Sequence, residues 1–308
     1  MKFIFMGTPE FSVPILDRLN SLGEVALVVS QEDKRKGRGK KVTKTPVKIK
    51  AEELGLEVYQ PQDINSSDSI EILKEIGADI IVVVAYGQIL KREIIDLPKK
   101  YIVNVHASLL PEFRGAAPIN RVIMEGKEVT GVSLMRVEEG LDSGAVSAVK
   151  EIKIGEMNAG DLEDKLSLMG ADLLEEFIKE VEEDKVKFVS QDESKKTYAN
   201  KILKDDLILD FRDNSKKLVN IIRGLSPHYG AKFSYEDKIY KIFDAEVVEC
   251  SSDKVAGTIL KSDSELLIKS GDGAISVKEI QAPGKRAMKI DDFLRGNKFE
   301  ENYLIGGK

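Results

Sequence analysis

The run DIIVVVAYG, residues 79–87, places five β-branched residues in a row before an alanine, a tyrosine and a glycine. No polar side chain interrupts Ile80 to Ala85, so a strand built from it has no face suited to water. Such a strand belongs at the centre of a parallel sheet, with helices over both faces. The segments on either side keep that character. KFIFMG (2–7) precedes a helical pattern over 10–21, and EVALVVS (24–30) precedes one over 46–54. LEVYQ (56–60) is followed by a helical pattern over 66–76, and YIVNV (101–105) continues the series. This alternation predicts a doubly wound, mostly parallel α/β sheet of Rossmann-like order.

In such sheets ligands sit beyond the carboxyl ends of the strands. Gly7, Tyr86-Gly87 and the triplet Asn104-Val105-His106 would then border one crevice. His106 is one of two histidines in 308 residues, and the Leu109-Leu110-Pro111 that follows cannot extend its strand. Residues two apart on a strand point the same way, so Asn104 and His106 share a face. The first turn, Gly7-Thr8-Pro9, lacks the G-x-G-x-x-G fingerprint, which excludes NAD or FAD. A phosphate or ribose at that helix N-terminus is left open.

Beyond His106 the pattern gives a helix over 116–125, strands over 130–137 and 145–154, and a long amphipathic helix over 160–184. Between the two strands lies the glycine-bounded turn EEGLDSG (138–144). The polar stretch 189–204 reads as a linker. After it, the alternating runs FSYEDKIYKIF, AGTILKSDSELLIKS and GAISVKEIQAPG predict a small antiparallel barrel or sandwich. The expected division is a first domain over 1–188, a linker over 189–204 and a β-barrel domain over 205–308.

A chain of 308 residues exceeds the usual size of one core, which also argues for two domains. The single cysteine, Cys250, excludes an intrachain disulfide, and the two histidines fall in different predicted domains, so no metal site is expected. No apolar stretch reaches the roughly 18 residues of a membrane span. MKFIFMGTPEF meets Gly-Thr-Pro too early for a signal peptide, so a cytoplasmic protein without a membrane partner is expected. The net charge of −6 argues against nucleic acid, yet residues 31–50 hold nine Lys/Arg against two acids. Taken alone, a charge run is a solvated loop. Its glycines and proline also let it adapt to a phosphate backbone.

Asn104, His106 and Asp142 each have a structural reading when taken singly: a hydrogen-bonded strand end, or a turn former. Around one crevice they read differently. An amide and an imidazolium can both donate to an oxygen that gains negative charge, while a carboxylate sustains the imidazolium and accepts a proton. That chemistry suits acyl transfer to an amine without a covalent enzyme intermediate.

Seven groups of motifs carry a more specific signal: FMGTPEFSVPIL (5–16), GRGKK with TPVK (37–41, 45–48), VVVAYGQILK (82–91), NVHASLLPEFRGAAPIN (104–120), GLDSGAV (140–146), TYANKI (197–202) and GTIL, GDG and QAPGK (257–260, 271–273, 281–285). Through them the chain resembles the methionyl-tRNA formyltransferases, folate-dependent formyltransferases, over nearly its full length. The resemblance implies transfer of formyl from 10-formyltetrahydrofolate to the α-amino group of methionine on initiator tRNA. It assigns Asn104, His106 and Asp142 as the catalytic trio. It places folate against Ser108, Leu109, Leu110 and Pro111, with Tyr86, Gly87, Gln88, Ile89 and Leu90 at the edge of the pterin pocket and Gly140 beside it.

The resemblance also implies that the basic loop enters the acceptor-stem end of the tRNA. Arg38 would insert between strand and base pair, and Lys34, Arg35, Lys40 and Lys41 would pair with phosphates. The C-terminal domain would add a shallow contact, and the protein would act as a monomer. Three departures stand out: Ala107 replaces a common glycine, Glu112 a common basic residue, and LSPHYGAKF (225–233) an aromatic, proline-rich version. His228 in that last stretch is read as structural. Two other readings keep the scaffold: a formyltransferase for a small amine such as glycinamide ribonucleotide or a sugar nucleotide, and an inactive RNA- or folate-binding module. The basic loop and C-terminal matches argue against the first, and the intact trio against the second.

Overall fold

The computed structural model describes residues 1–36 and 41–306. Along the chain come strands β1 (Lys2–Gly7), β2 (Glu24–Val29), β3 (Lys34–Lys36), β4 (Lys41–Thr43), β5 (Val58–Tyr59), β6 (Ile80–Val84), β7 (Tyr101–His106), β8 (Val129–Arg136) and β9 (Val146–Lys153). All but β3 and β4 form one sheet, in the order β5-β2-β1-β6-β7-β8-β9. Strands β5, β2, β1, β6 and β7 run parallel, and β8 is antiparallel to β7. The mostly parallel, doubly wound sheet expected from the alternation is therefore present.

The interleaved helices are α1 (Val13–Leu22), α2 (Pro46–Glu53), α3 (Ser67–Ile76), α4 (Arg92–Ile95), α5 (Pro118–Met124) and α6 (Ala159–Glu182). β6 is buried as its composition requires, with Ile80, Ile81, Val82 and Val84 all without exposure. On one face of the sheet Ile4, Met6 and Ile81 pack with Leu73 of α3 and Ile94 of α4. On the other, α1 and α6 approach β7 so closely that a methyl on Gly170 would lie 2.8 Å from Val105 and 3.1 Å from Ile15. A glycine lets these three elements meet.

From β1 the chain moves outward to β2 and β5, then returns to β6 on the opposite side of β1. The order reverses between β1 and β6, the switch point at whose carboxyl ends sheets of this kind carry their ligand crevice. Side chains just after β1 hold its rim: Ser12 Oγ donates to the Val84 carbonyl at 2.7 Å, and Thr8 Oγ1 donates to the Tyr86 carbonyl at 2.8 Å. Ala85 and Gly87 then turn the chain through φ of 47° and 96°.

Two parts of the architecture differ from the sequence reading. Within the basic segment, β3 and β4 pair as an antiparallel ladder, Lys34 opposite Thr43 and Lys36 opposite Lys41. Lysine-rich strands carry no apolar alternation, so the pattern of the sequence predicts no strand there. Second, the compact units do not follow chain order. One comprises Met1–Gly115, Val129–Ile152 and Glu163–Tyr198; the other comprises Ala116–Glu128, Lys153–Leu162 and Ala199–Lys308. The stretch read as a linker splits accordingly. Val146 and Val189 exchange backbone hydrogen bonds at 2.9 and 2.8 Å, and Arg114 N donates to the Thr197 carbonyl at 3.0 Å, so residues 189–198 run through the first unit.

The second unit draws α5 onto α7 (Ser215–Leu225), a helix absent from the sequence reading. Gly224 permits the approach: a methyl there would lie 2.5 Å from Met124 and 2.9 Å from the Asn120 carbonyl, while Asn120 donates to the Gly224 carbonyl at 2.7 Å. Strands β10 (Ala231–Tyr235), β11 (Lys238–Val248), β12 (Ile259–Ser262), β13 (Leu266–Lys269), β14 (Ala274–Gln281) and β15 (Met288–Lys289) follow, with α8 (Ile290–Leu294) after them. The antiparallel order is β10-β11-β14-β13-β12, with β15 on β14, which leaves β10 and β12 as edges.

The C-terminal strap covers both edges. Gly306 exchanges two hydrogen bonds with Ser234 of β10, at 2.8 and 2.9 Å. Ile259 of β12 donates to the Tyr303 carbonyl at 2.9 Å, and Ile305 N donates to the Gly257 carbonyl at 3.0 Å. A sheet stitched at both edges is closed like a barrel, which removes unpaired edge groups. Ile305 is 5% exposed and joins the barrel core, whereas Leu304 is 58% exposed. Ile305→Ala should therefore cost about 2–5 kcal/mol and Leu304→Ala about 0.5 kcal/mol or less, read as calorimetric unfolding midpoints. Equal shifts would mean the strap is not seated.

Candidate active site

Asn104 and His106 stand at the end of β7, two residues apart and on one face. Asn104 lies opposite Val83 of β6 and Met135 of β8, and His106 opposite Ser133. The His106 side chain is 7% exposed. Its Nε2 lies 3.0 Å from the Phe113 carbonyl, an acceptor, so Nε2 carries the proton. Nδ1 faces Asp142 Oδ2 across 3.7 Å, too long for a hydrogen bond but close enough for ion pairing and for one bridging oxygen. The Nε2 edge is thus engaged, and the Nδ1 edge faces the carboxylate without a direct bond to it. The Asn104 carboxamide has no hydrogen-bond partner among the described residues.

Asp142 arrives from the loop between β8 and β9. Its Oδ2 accepts the Gly115 N–H at 2.7 Å, and its side chain is 16% exposed. Its backbone is left-handed, with φ of 47°, a conformation uncommon for residues other than glycine and tolerated best by asparagine and aspartate. Gly144 permits the return of this loop, since a methyl there would collide with the Arg136 carbonyl.

Two residues that the sequence reading did not single out hold this loop from below. Gln191 Nε2 donates to the Asp142 and Gly144 carbonyls, both at 2.8 Å. Its Oε1 accepts from Arg114 Nε at 3.1 Å and from an Arg114 terminal nitrogen at 2.8 Å. The Arg114 guanidinium is 3% exposed and also pairs with Glu193 at 2.7 Å. Hydrogen bonding from Arg114, then from Lys196, holds the Glu193 carboxyl below its ordinary value. Arg114 sits inside a family motif without a role of its own there, and Gln191 sits in a polar stretch whose long-range pairing leaves no periodic signal.

The residues expected to hold folate are distributed around the same loops. Ser108 is fully buried; its Oγ donates to the Glu112 carbonyl at 2.7 Å, and its own carbonyl accepts from Ser133 Oγ at 2.7 Å. Leu109, Leu110 and Pro111 are half-buried, and the Leu110–Pro111 bond is cis. Gln88 Oε1 accepts the Ile64 N–H at 2.9 Å, Leu90 is buried, and Ile89 is 84% exposed. The Tyr86 ring is 2% exposed, and its hydroxyl has no partner among the described residues. Burial pushes that phenol above its ordinary value, with Tyr59 and Asp63 acting in the same direction. Gly140 is exposed and lines a hollow of about 620 Å³ together with Arg92, Lys100, Tyr101, Arg136 and Glu138.

Of the basic residues assigned to tRNA, Lys34 is exposed. Arg35 and Lys41 belong to β3 and β4, and Arg38 and Lys40 lie outside the described residues. The base of this hairpin is tied on both sides: Ser30 and Thr45 hydroxyls are 2.7 Å apart, and Lys48 pairs with Asp33 at 2.7 Å. Among the described residues no group of three or more His, Cys, Asp or Glu could hold a metal ion, and no helix is long and apolar enough to cross a membrane.

A mostly parallel sheet with a histidine and an amide at the end of β7 and a carboxylate from the loop between β8 and β9 is the frame of this site, and the fold that carries it is that of a class of transferases. The chain belongs to the formyl transferase family: the family's formyl transferase model matches residues 1–178, and its C-terminal domain model matches residues 201–298. More particularly, it is 42% identical over 308 residues to a methionyl-tRNA formyltransferase of Caldanaerobacter subterraneus subsp. tengcongensis, covering 99% of this chain and 100% of that one. A methionyl-tRNA formyltransferase of Kosmotoga olearia is 40% identical over 311 residues, with both chains fully covered. Among solved structures, the sugar 3N-formyl transferase WlaRD superposes with a TM-score of 0.69 at 19% identity, over 93% of this chain and 99% of that one. That likeness shows the fold.

An unpartnered buried hydroxyl destabilises the protein that carries it. Tyr86→Phe should therefore leave the unfolding midpoint of the free protein unchanged, or raise stability by about 1 kcal/mol. A fall of several degrees would mean that the hydroxyl has a partner.

Proposed function

We propose that the chain transfers the formyl group of 10-formyltetrahydrofolate to the α-amino group of methionine on initiator tRNA, in the cytoplasm and as a monomer. The observation that carries this reading is the 42% identity, sustained along the whole of both chains, with a protein named for that reaction. The 3.7 Å approach of Asp142 to His106 supports it chemically.

In this reading the neutral amine attacks the formyl carbon, and the carbonyl electrons move onto oxygen. The Asn104 amide and the Nδ1 edge of His106 donate to that oxyanion; Nε2 is already engaged with Phe113. Asp142 faces the same edge of the ring at ion-pair distance. When the oxyanion collapses, the bond from carbon to N10 breaks, and the proton lost by the attacking nitrogen passes by way of Asp142 to N10. Ser108, Leu109, Leu110 and Pro111 line the folate, Tyr86, Gly87, Gln88, Ile89 and Leu90 bound its pterin, and Gly140 closes the outer side. Lys34, Arg35, Arg38, Lys40 and Lys41 receive the acceptor stem.

The decisive assay offers labelled 10-formyltetrahydrofolate with methionylated initiator tRNA, uncharged tRNA and glycinamide ribonucleotide. Label should enter only the first; label in the ribonucleotide instead would replace this reading with a small-amine formyltransferase. Asn104→Ala should lower kcat by about 10²- to 10³-fold, the usual effect of losing one oxyanion donor, and near-full turnover would remove Asn104 from the mechanism. Replacing Lys34, Arg35 and Lys41 by glutamine should flatten the plot of log Kd for tRNA against log salt by roughly 0.9 for each phosphate no longer neutralised. An unchanged slope would place the tRNA elsewhere.

A further inference from the structure

The Asp142 turn raises a question that the trio does not answer, namely what keeps an aspartate in a left-handed conformation at φ of 47° beside a histidine it does not hydrogen bond. Bonds from its own loop are few. Arg136 N donates to the Ala145 carbonyl at 2.9 Å and fixes where the loop ends, not how its tip faces. The tip is fixed by Gln191, whose Nε2 bonds the Asp142 and Gly144 carbonyls together. These two carbonyls flank Ser143, so one amide group sets the pitch of the turn.

Gln191 could not do this with its amide reversed, because Oε1 would then face two carbonyl oxygens. Arg114 prevents the reversal. It presents two N–H groups to Oε1, which compels Oε1 toward the guanidinium and Nε2 toward the turn. Arg114 is also directly followed by Gly115, whose N–H is the hydrogen-bond donor to the Asp142 carboxylate. The same short segment therefore anchors Asp142 twice, at its backbone through Gln191 and at its side chain through Gly115. A buried guanidinium is a poor choice for stability alone, since apolar packing of the same volume commonly does as well. Its fork is suited to fixing the direction of a neighbouring amide.

We propose that Arg114 and Gln191 are positioning residues that orient Asp142 toward the Nδ1 edge of His106. This rests on the reading of Asp142 as a participant in formyl transfer. It assigns to the segment after α6, which touches none of the reacting atoms, control over the rate of the chemical step.

The test uses the full chain and follows formylation of methionylated initiator tRNA, with kcat and both KM values measured. Gln191→Glu keeps the side chain's length and its pairing with Arg114 but turns an acceptor oxygen toward the two carbonyls. It should lower kcat by about 10- to 100-fold, the scale of a misplaced catalytic group, with both KM values within about threefold and the thermal midpoint close to that of the parent. Arg114→Lys keeps the buried charge but loses the fork, and should lower kcat in the same manner and by less. In combination with Asp142→Ala, Gln191→Glu should cause no further loss, because residues acting through one group do not add. Parental kcat in Gln191→Glu, or an undiminished further loss in the double variant, overturns the inference. Should Gln191→Glu not fold, the Arg114→Lys result and its combination with Asp142→Ala decide in the same way. Asp142→Ala alone separates the two levels: if it keeps near-full turnover, the reading of the site itself fails, whatever Gln191 does.

Discussion

Everything at the site depends on one carboxylate being brought to one imidazole from a different strand loop. His106 comes at the end of β7, and Asp142 comes only after the chain has run down β8 and turned back. A separation of 3.7 Å between Nδ1 and Oδ2 leaves the pair electrostatically linked without closing the gap by a direct bond. The rim of the crevice is fixed by neutral bonds, Ser12 and Thr8 to the carbonyls at the end of β6, so no further charge is introduced there.

Much of this arrangement is legible in the sequence, for physical reasons. Ile80 to Val84 have no polar face, and that alone places β6 in the middle of a covered parallel sheet. The period of two in a strand puts Asn104 and His106 on one side without any knowledge of what surrounds them. Asp142 is accessible only as a turn residue within a family motif, since its nearness to His106 depends on how far the loop folds back. For α7 the signal is present but easily passed over: Leu218, Val219, Ile222 and Leu225 fall at helical spacing and are all buried. The partnership of Arg114 with Gln191 has no such signal, because a hydrogen bond between residues far apart in the chain leaves no mark on local composition. Polarity makes residues 189–198 look like a linker, whereas the polar groups are engaged with loops of the first unit.

The basic hairpin shows a similar division between what charge reveals and what it hides. Nine cationic residues in a short segment are visible at once, and they dominate any reading of residues 31–50. The elements that fix the segment's base are uncharged or oppositely charged: the Ser30 and Thr45 hydroxyls, and Asp33 against Lys48. Burial is the largest single influence on the Asp33 carboxyl and acts to raise it, yet hydrogen bonds from Gln60 and Lys48 together hold it below its ordinary value. The base of this cationic segment is thus held by a pair of hydroxyls and by one of its own cations, Lys48, paired with an acid of the same segment.

The interleaving of the compact units bears on how such proteins can be cut and recombined. Because α5 is threaded into the second unit against α7, a fragment ending at the polar stretch after α6 would carry Ala117 and Met124 without the core they pack against. Exchange of the C-terminal half between two relatives would likewise mate one parent's α5 with the other's Gly224 notch. Such a chimaera would keep its packing only where both parents share the contour of that notch.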